Sequence, residues 1–325
     1  MITVGIIGSG GYVGGELIRC LVNHPEVKID FCFSKSQAGK KIGETHEDLS
    51  IYEDLSFSEE INPDVDLIFL CLGHGNSRVF LVETKFSSKT KIIDLSNDFR
   101  LNAEAVFKNE SFAYGLNALN KSLIKKANYV ANPGCFATAI QLGLLPLAAN
   151  GLLTEEIHIN AITGSTGAGQ GLSPTSHFSW RNNNVSIYKA FKHQHLDEIK
   201  ESLTQLQPSF DKTLNFLPVR GNFSRGIFAT IYTKSNLTEV ELIKLFRTFY
   251  KDAPFTFISE KSVHLKQVIN TNNCFIQVQK IDDKVLITSV LDNLLLGAAG
   301  QAIQNMNLMF GLNETTGLTF KANYF

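Results

Sequence analysis

The opening residues constrain this chain more than any others. Thr3-Val4-Gly5-Ile6-Ile7 has the apolar character of a buried strand, and Gly8-Ser9-Gly10-Gly11-Tyr12-Val13-Gly14-Gly15 follows at once. Glu16-Leu17-Ile18-Arg19-Cys20-Leu21-Val22 then carries apolar residues at helical spacing. Strand, glycine turn and helix is the setting in which a glycine motif binds a dinucleotide. The backbone can bend close to a pyrophosphate, and the unpaired N–H groups of the first helical turn face it. Gly8, Gly11 and Gly14 give a GxxGxxG spacing with Gly10 in addition, so a strict GxGxxG pattern fails at Val13. Ser9, Tyr12 and Val13 complete the loop expected against the cofactor.

A second strand, residues 27–33, ends in Ser34-Lys35-Ser36-Gln37. A site for NAD places an acidic residue at this tip to hold the ribose hydroxyls. Here Ser34, Lys35 and Ser36 suit a 2′-phosphate, and Asp30 lies too early, inside the strand, so NADP is predicted. Lys40 and Lys41 read as a solvated turn. Further α/β units follow: residues 65–72 end in Gly73-His74-Gly75, and residues 91–96 end in Asn97-Asp98-Phe99-Arg100. Ligands bind at the carboxyl ends of strands in open parallel sheets. Gly73 is therefore expected near the cofactor, Arg100 as an anion clamp, and His74 as a loop residue.

Of the five cysteines, one is set apart by its context. In Asn128-Tyr129-Val130-Ala131-Asn132-Pro133-Gly134-Cys135 a strand runs into a tight turn, and Ala139-Ile140-Gln141-Leu142-Gly143-Leu144-Leu145 reads as a buried helix beyond it. The Cys135 thiol is predicted at the mouth of that helix, where the dipole favours thiolate and hence covalent catalysis. Cys20, Cys32, Cys71 and Cys274 sit in apolar stretches as core residues. An odd number with no CxxC spacing speaks against a disulfide framework and a zinc site. The strand at the start leaves no room for a signal peptide and no apolar run is long enough to span a bilayer, so a cytoplasmic protein is expected. The 325 residues suit about two domains. Thirty basic against thirty-one acidic residues, with no basic stripe, argue against nucleic acid and for a small-molecule partner.

After Leu153 the pattern changes to longer strands, as in an antiparallel sheet. Residues 157–163 lead into the polar loop Gly164-Ser165-Thr166-Gly167-Ala168-Gly169-Gln170-Gly171, suited to shaping a pocket or binding phosphate. Tyr188 precedes His193-Gln194-His195, which opens a helix. Supporting metal ligands are absent from the sequence nearby, so the histidines point to acid–base chemistry beside the cysteine. Arg220 and Arg225 flank Gly221-Asn222-Phe223-Ser224 and would suit an acyl phosphate. Asn293 opens a closing helix rich in small residues, which permit close packing or approach to a cofactor.

Taken together, these motifs resemble the N-acetyl-gamma-glutamyl-phosphate reductases, NADP-dependent enzymes of arginine biosynthesis, nearly end to end. The resemblance rests on the glycine loop, Ile93-Asp94-Leu95-Ser96-Asn97-Asp98-Phe99-Arg100, Tyr114-Gly115-Leu116, Asn132-Pro133-Gly134-Cys135, residues 164–169, His193-Gln194-His195, Arg225-Gly226 and residues 292–312. It implies an α/β protein of semialdehyde-dehydrogenase type. A Rossmann-like NADP-binding domain (residues 1–134 and 293–325) would carry an inserted α+β catalytic and dimerisation domain (residues 135–292). It implies Cys135 as nucleophile, His193 or His195 as acid–base, Asn132 as an aid to the oxyanion, and cofactor contacts reaching Gly164 and Asn293. Arg100, Tyr188, Arg220 and Arg225 would bind substrate. No metal is implied, and a homo-oligomer, dimer or tetramer, is. The alternatives are an aspartate-semialdehyde dehydrogenase-like enzyme and a non-catalytic NADP-sensing regulator.

Three departures from the family pattern cluster where substrate should bind. Residues 218–226 read Pro-Val-Arg-Gly-Asn-Phe-Ser-Arg-Gly, Phe191-Lys192 replaces a Gly-Gly pair, and Gln170 stands where a basic residue is common. Arg220 and Lys192 add cations there. A fork-shaped guanidinium suits a second substrate carboxylate, so an N-succinyl group is expected to compete with N-acetyl.

Overall fold

The computed structural model describes residues 1–324. The chain divides into two compact units: Met1–Pro133 with Ala298–Thr319, and Gly134–Gly297 with residues 320–324. Residues 293–297 and the terminal stretch thus pack with the second unit, whereas the expected domain boundaries placed all of 293–325 in the first.

In the first unit the elements run β1 (Ile2–Ile7), α1 (Tyr12–Leu21), β2 (Val27–Phe33), β3 (Phe57–Ser58), β4 (Leu67–Leu70), α2 (Ser77–Glu83), β5 (Lys91–Asp94), β6 (Val106–Phe107), β7 (Glu110–Tyr114), α3 (Asn117–Ile124) and β8 (Tyr129–Ala131). They form an eight-stranded sheet in the order β3-β2-β1-β4-β5-β8-β7-β6, parallel except for the β6–β7 pair. Strands β1 and β4 are apolar throughout or nearly so, as strands covered on both faces must be. The chain winds outward from β1 to β3, then restarts at β4 on the other side of β1. The glycine turn at the end of β1 therefore lies at the topological switch point, where such sheets bind ligands.

The second unit opens with α4 (Cys135–Ala148) and continues through β9 (Ile157–Thr163), α5 (Phe178–Arg181), β10 (Ser186–Ile187), α6 (His195–Leu206), β11 (Leu214–Arg220), β12 (Ile227–Lys234), α7 (Glu239–Phe249), β13 (Thr256–Ser259), β14 (Cys274–Ile281) and β15 (Lys284–Leu291). The sheet order is β10-β11-β9-β12-β15-β14-β13. It is mixed rather than antiparallel: β9 pairs parallel with β11 and β13 with β14, and the β9–β11 pair needs a crossover, in which α6 lies. A π-helical turn (Leu295–Ala299) then leads into α8 (Gly300–Met309), which packs on α1 and α3 of the first unit.

Helix α4 is buried from Phe136 to Ala148, and it runs through Pro146, beyond the 139–145 run read as helix from the sequence. Proline has no N–H to give the carbonyl four residues back, Leu142. The Tyr250 hydroxyl donates to that carbonyl instead.

Candidate active site

In the first unit the helix begins at Tyr12, so Gly14 and Gly15 lie inside its first turns. Gly8 has a φ of +79°, and a Cβ there would come within 2.6 Å of the Cys71 carbonyl oxygen. A Cβ on Gly14 would meet Ser9 Cα at 2.6 Å. The turn is hung on one carbonyl: the N–H groups of Gly8 and Ser9 and the Ser9 hydroxyl all donate to Phe33 O, at 2.9–3.1 Å. Gly11 caps α1 with no side-chain partner and no acid in the first turn, which leaves its N–H groups suited to an anion. At the tip of β2, Ser34 lies against Gly10 and Lys35 is exposed, while Asp30 accepts from Asn62. This is a cradle without a carboxylate at the ribose position, and it fits NADP. His46, which carries no sequence signal, supports it from below by bonding Ser9 O at 2.9 Å. Gly73, with a φ of +79°, turns the chain at the end of the β4 strand, and His74 Nδ1 accepts the Asn97 N–H.

Two residues expected to touch ligands in this unit are instead built into its frame. Asn132 donates from Nδ2 to Ala298 O and accepts Asn305 Nδ2 at Oδ1, while its N–H bonds Asp94 O. Arg100 is buried and braces the same peptide, Nε donating to Asn132 O at 2.8 Å and Nη2 to Leu95 O at 3.2 Å. Through these bonds both side chains stiffen the turn that precedes the cysteine.

In the second unit Cys135 is the first residue of α4, behind Gly134 as cap, with no acidic residue in the first turn. Neither Gly134 nor Gly297 could carry a side chain. A Cβ on Gly297 would lie 2.9 Å from Cys135 Cβ, and one on Gly134 would lie 2.3 Å from His195 Nε2 and 2.7 Å from Glu198 Oε1. The imidazole and a carboxylate thus pack directly on the residue before the thiol. His195 and Glu198 are 5% and 3% exposed, with Nε2 and Oε1 3.8 Å apart. The second Glu198 oxygen accepts the Gly134 N–H at 3.0 Å, so that N–H does not serve an oxyanion. Glu198 was missed from the sequence. Its position, three residues after His195 on a helix, places both on one face and was the available signal.

His193 has a different setting. Its ring lies 4.5 Å from that of His195 and sits edge-on to Phe136, Tyr188 and Phe216. Its Nδ1 accepts the His195 N–H at 3.2 Å, capping α6. Tyr188 is pushed up to about 12 by burial and by its nearness to Cys135, against the pull of Arg220. Arg220 stacks on the Tyr188 ring at 4.7 Å, and its buried Nε has no hydrogen-bond partner among the described residues. Arg181, itself buried, donates to Arg220 O and holds the 175–186 loop.

Four further residues expected near ligands have these settings in the second unit. Arg225 is bound bidentately to the buried carboxylate of Asp292, at 3.0 and 3.2 Å, so its charge is neutralised inside the frame. Asn293 accepts Gly226 N–H and donates to Thr166 Oγ1, which ties down the 164–168 turn. Gly164 packs on the 224–225 backbone, where a Cβ would stand 2.3 Å from Ser224 O. Lys192 is exposed on the turn after Lys189.

Comparison with known proteins agrees with this geometry. Residues 3–127 match the semialdehyde dehydrogenase NAD binding domain, and residues 135–293 match the semialdehyde dehydrogenase dimerisation domain. The N-acetyl-gamma-glutamyl-phosphate reductases of Flavobacterium johnsoniae and Christiangramia forsetii are 59% and 57% identical over 100% of both chains. Aspartate semialdehyde dehydrogenase II from Vibrio cholerae shares the fold, with a TM-score of 0.72 at 15% identity over 96% of this chain and 99% of that one. No helix among the described residues is long and apolar enough to cross a membrane. On these grounds the chain belongs to the semialdehyde dehydrogenase family, within the N-acetyl-gamma-glutamyl-phosphate reductases.

Proposed function

We propose that this protein reduces an N-acyl-gamma-glutamyl phosphate to the N-acyl-glutamate 5-semialdehyde, with release of phosphate, as a step of arginine biosynthesis in the cytoplasm. The observation that carries the reading is the placement of Cys135 at the mouth of α4 with His195 and Glu198 packed on its neighbour Gly134. His195 takes the thiol proton, and the thiolate attacks the acyl carbon, breaking its bond to the phosphate oxygen and leaving a thioester on Cys135. The glycine cradle and the Ser34–Lys35–Ser36 tip would hold NADPH, which when bound supplies the hydride for the second half-reaction. As the Cys135 sulfur leaves the reduced carbon it takes back a proton from His195, and the aldehyde is released. The N–H groups of the first turn of α4 are the donors suited to the oxyanion. His193, caged by rings and capping α6, orients His195.

Arg220 supports a finer reading of the substrate. The Arg220 guanidinium lies over the Tyr188 ring with its buried Nε unmatched among the described residues, and a cation there suits a carboxylate on the acyl group. The site then accepts an N-succinyl group in competition with N-acetyl. The reaction run backwards, with NADP, phosphate and the two N-acyl-glutamate semialdehydes side by side, tests both levels. No phosphate-dependent NADP reduction with either compound would refute the reaction, and strict selection of N-acetyl would refute the acyl reading.

A homo-oligomer also fits. The face of the second sheet that carries His158 stacked on Tyr232 (41% exposed) also presents Phe228 and Leu286, and α4 packs on the opposite face of that sheet. Sedimentation at the mass of a single chain would exclude it.

A further inference from the structure

We infer that Glu198 is a positioning residue for the reaction, acting through His195 and through the Gly134 peptide. The inference rests on the reaction proposed above and adds a third member to the cysteine–histidine pair. A carboxylate almost wholly removed from water is costly unless it is paired. Its partners include the N–H that leads into the nucleophile, at 3.0 Å, and the imidazole, at 3.8 Å. A carboxylate at a helix amino end is also favoured by the dipole. One side chain therefore fixes both the peptide that carries the thiol and the ring that handles its proton. When His195 gains the proton from Cys135, the nearby negative charge stabilises the cation, as the acid does in a serine-protease triad.

Other titratable groups of this cluster include His193, whose ring lies 4.5 Å from that of His195, Tyr188 edge-on to His193 and near Cys135, and Arg220 stacked on Tyr188. Glu198 is the carboxylate against His195, its Oε1 3.8 Å from Nε2. Removing that charge while keeping the shape should make His195 harder to protonate.

The test is Glu198→Gln in the full-length protein. Its amide oxygen still accepts from Gly134, so the melting temperature should stay near that of the parent. Nuclear magnetic resonance of 15N-histidine-labelled protein, with His195→Asn to assign the signals, reads His195 without substrate. The midpoint should fall by about one pH unit or more, the lower end of what an opposite charge at this range contributes. In the reverse assay kcat should fall about 10- to 100-fold, part of the 10²–10⁴ that a positioned acid–base group supplies, with KM for NADP held. Glu198→Ala should lower the melting temperature as well. An unmoved His195 midpoint in Glu198→Gln overturns the inference, whatever kcat does. Absence of phosphate-dependent activity in the parent would refute the reaction instead, and the midpoint would still decide the role of Glu198.

Discussion

Cys135 differs from the four other cysteines in what surrounds it. Burial pushes the Cys32 and Cys274 thiols up to about 12, and burial together with the Asp94 carboxylate raises Cys71 too. Those thiols stay protonated and inert. Cys135 alone opens a helix with a histidine and a carboxylate packed on its neighbour. The arginines divide in the same way. Arg100 is engaged by carbonyls, Arg181 by a loop and Arg225 by Asp292, which leaves Arg220 as the one of these four with a buried donor unmatched among the described residues. Arg220→Leu should therefore raise KM for an N-succinyl substrate selectively, by about 1.5–3 kcal/mol, or roughly ten- to a hundred-fold. An equal effect on the acetyl and succinyl compounds would assign Arg220 to structure.

At the scale of elements, the nucleophile depends on how α4 is held. The helix is apolar on all sides and enclosed, and Pro146 breaks its hydrogen-bond ladder at Leu142 O. Tyr250 repairs that break from outside the helix, and burial pushes its hydroxyl well above the ordinary tyrosine range, so it remains a donor. Tyr250→Phe leaves the carbonyl without that partner and should cost about 1–3 kcal/mol in denaturant unfolding. Activity per folded molecule should change little. An unfolding midpoint equal to the parent's would mean that the carbonyl finds another donor. Sequence reading placed the α4 helix with Cys135 at its mouth, while the hydroxyl that lets the helix pass Pro146 lies more than a hundred residues away and carries no local signal.

For the whole molecule, the local signals were legible and the long-range pairings were not. Glycine spacing, apolar runs and the Asn-Pro-Gly-Cys turn gave the dinucleotide cradle and the cysteine helix, because each encodes backbone geometry within a few residues, while the inserted domain came from the family resemblance. Arg225, Asn293, Arg100 and Asn132 were read as ligand contacts because a polar side chain in a loop looks the same from sequence whether it meets substrate or a buried carbonyl. Their partners, such as Asp292 for Arg225 and Asn305 for Asn132, are remote in the chain. Glu198 was missed for the opposite reason: a glutamate in the first turn of an amphipathic helix is ordinarily solvated, and only packing shows it to be buried.

The central claim is that Cys135 carries the acyl group between the two half-reactions. Intact-mass measurement after mixing the protein with the acyl phosphate, without NADPH, tests it most directly. The account predicts an adduct equal to the acyl group without its phosphate, located on Cys135, with phosphate released in equal amount, and neither in Cys135→Ser. Steady turnover with NADPH but no adduct and no phosphate release in its absence, or an adduct that persists in Cys135→Ser, would contradict it.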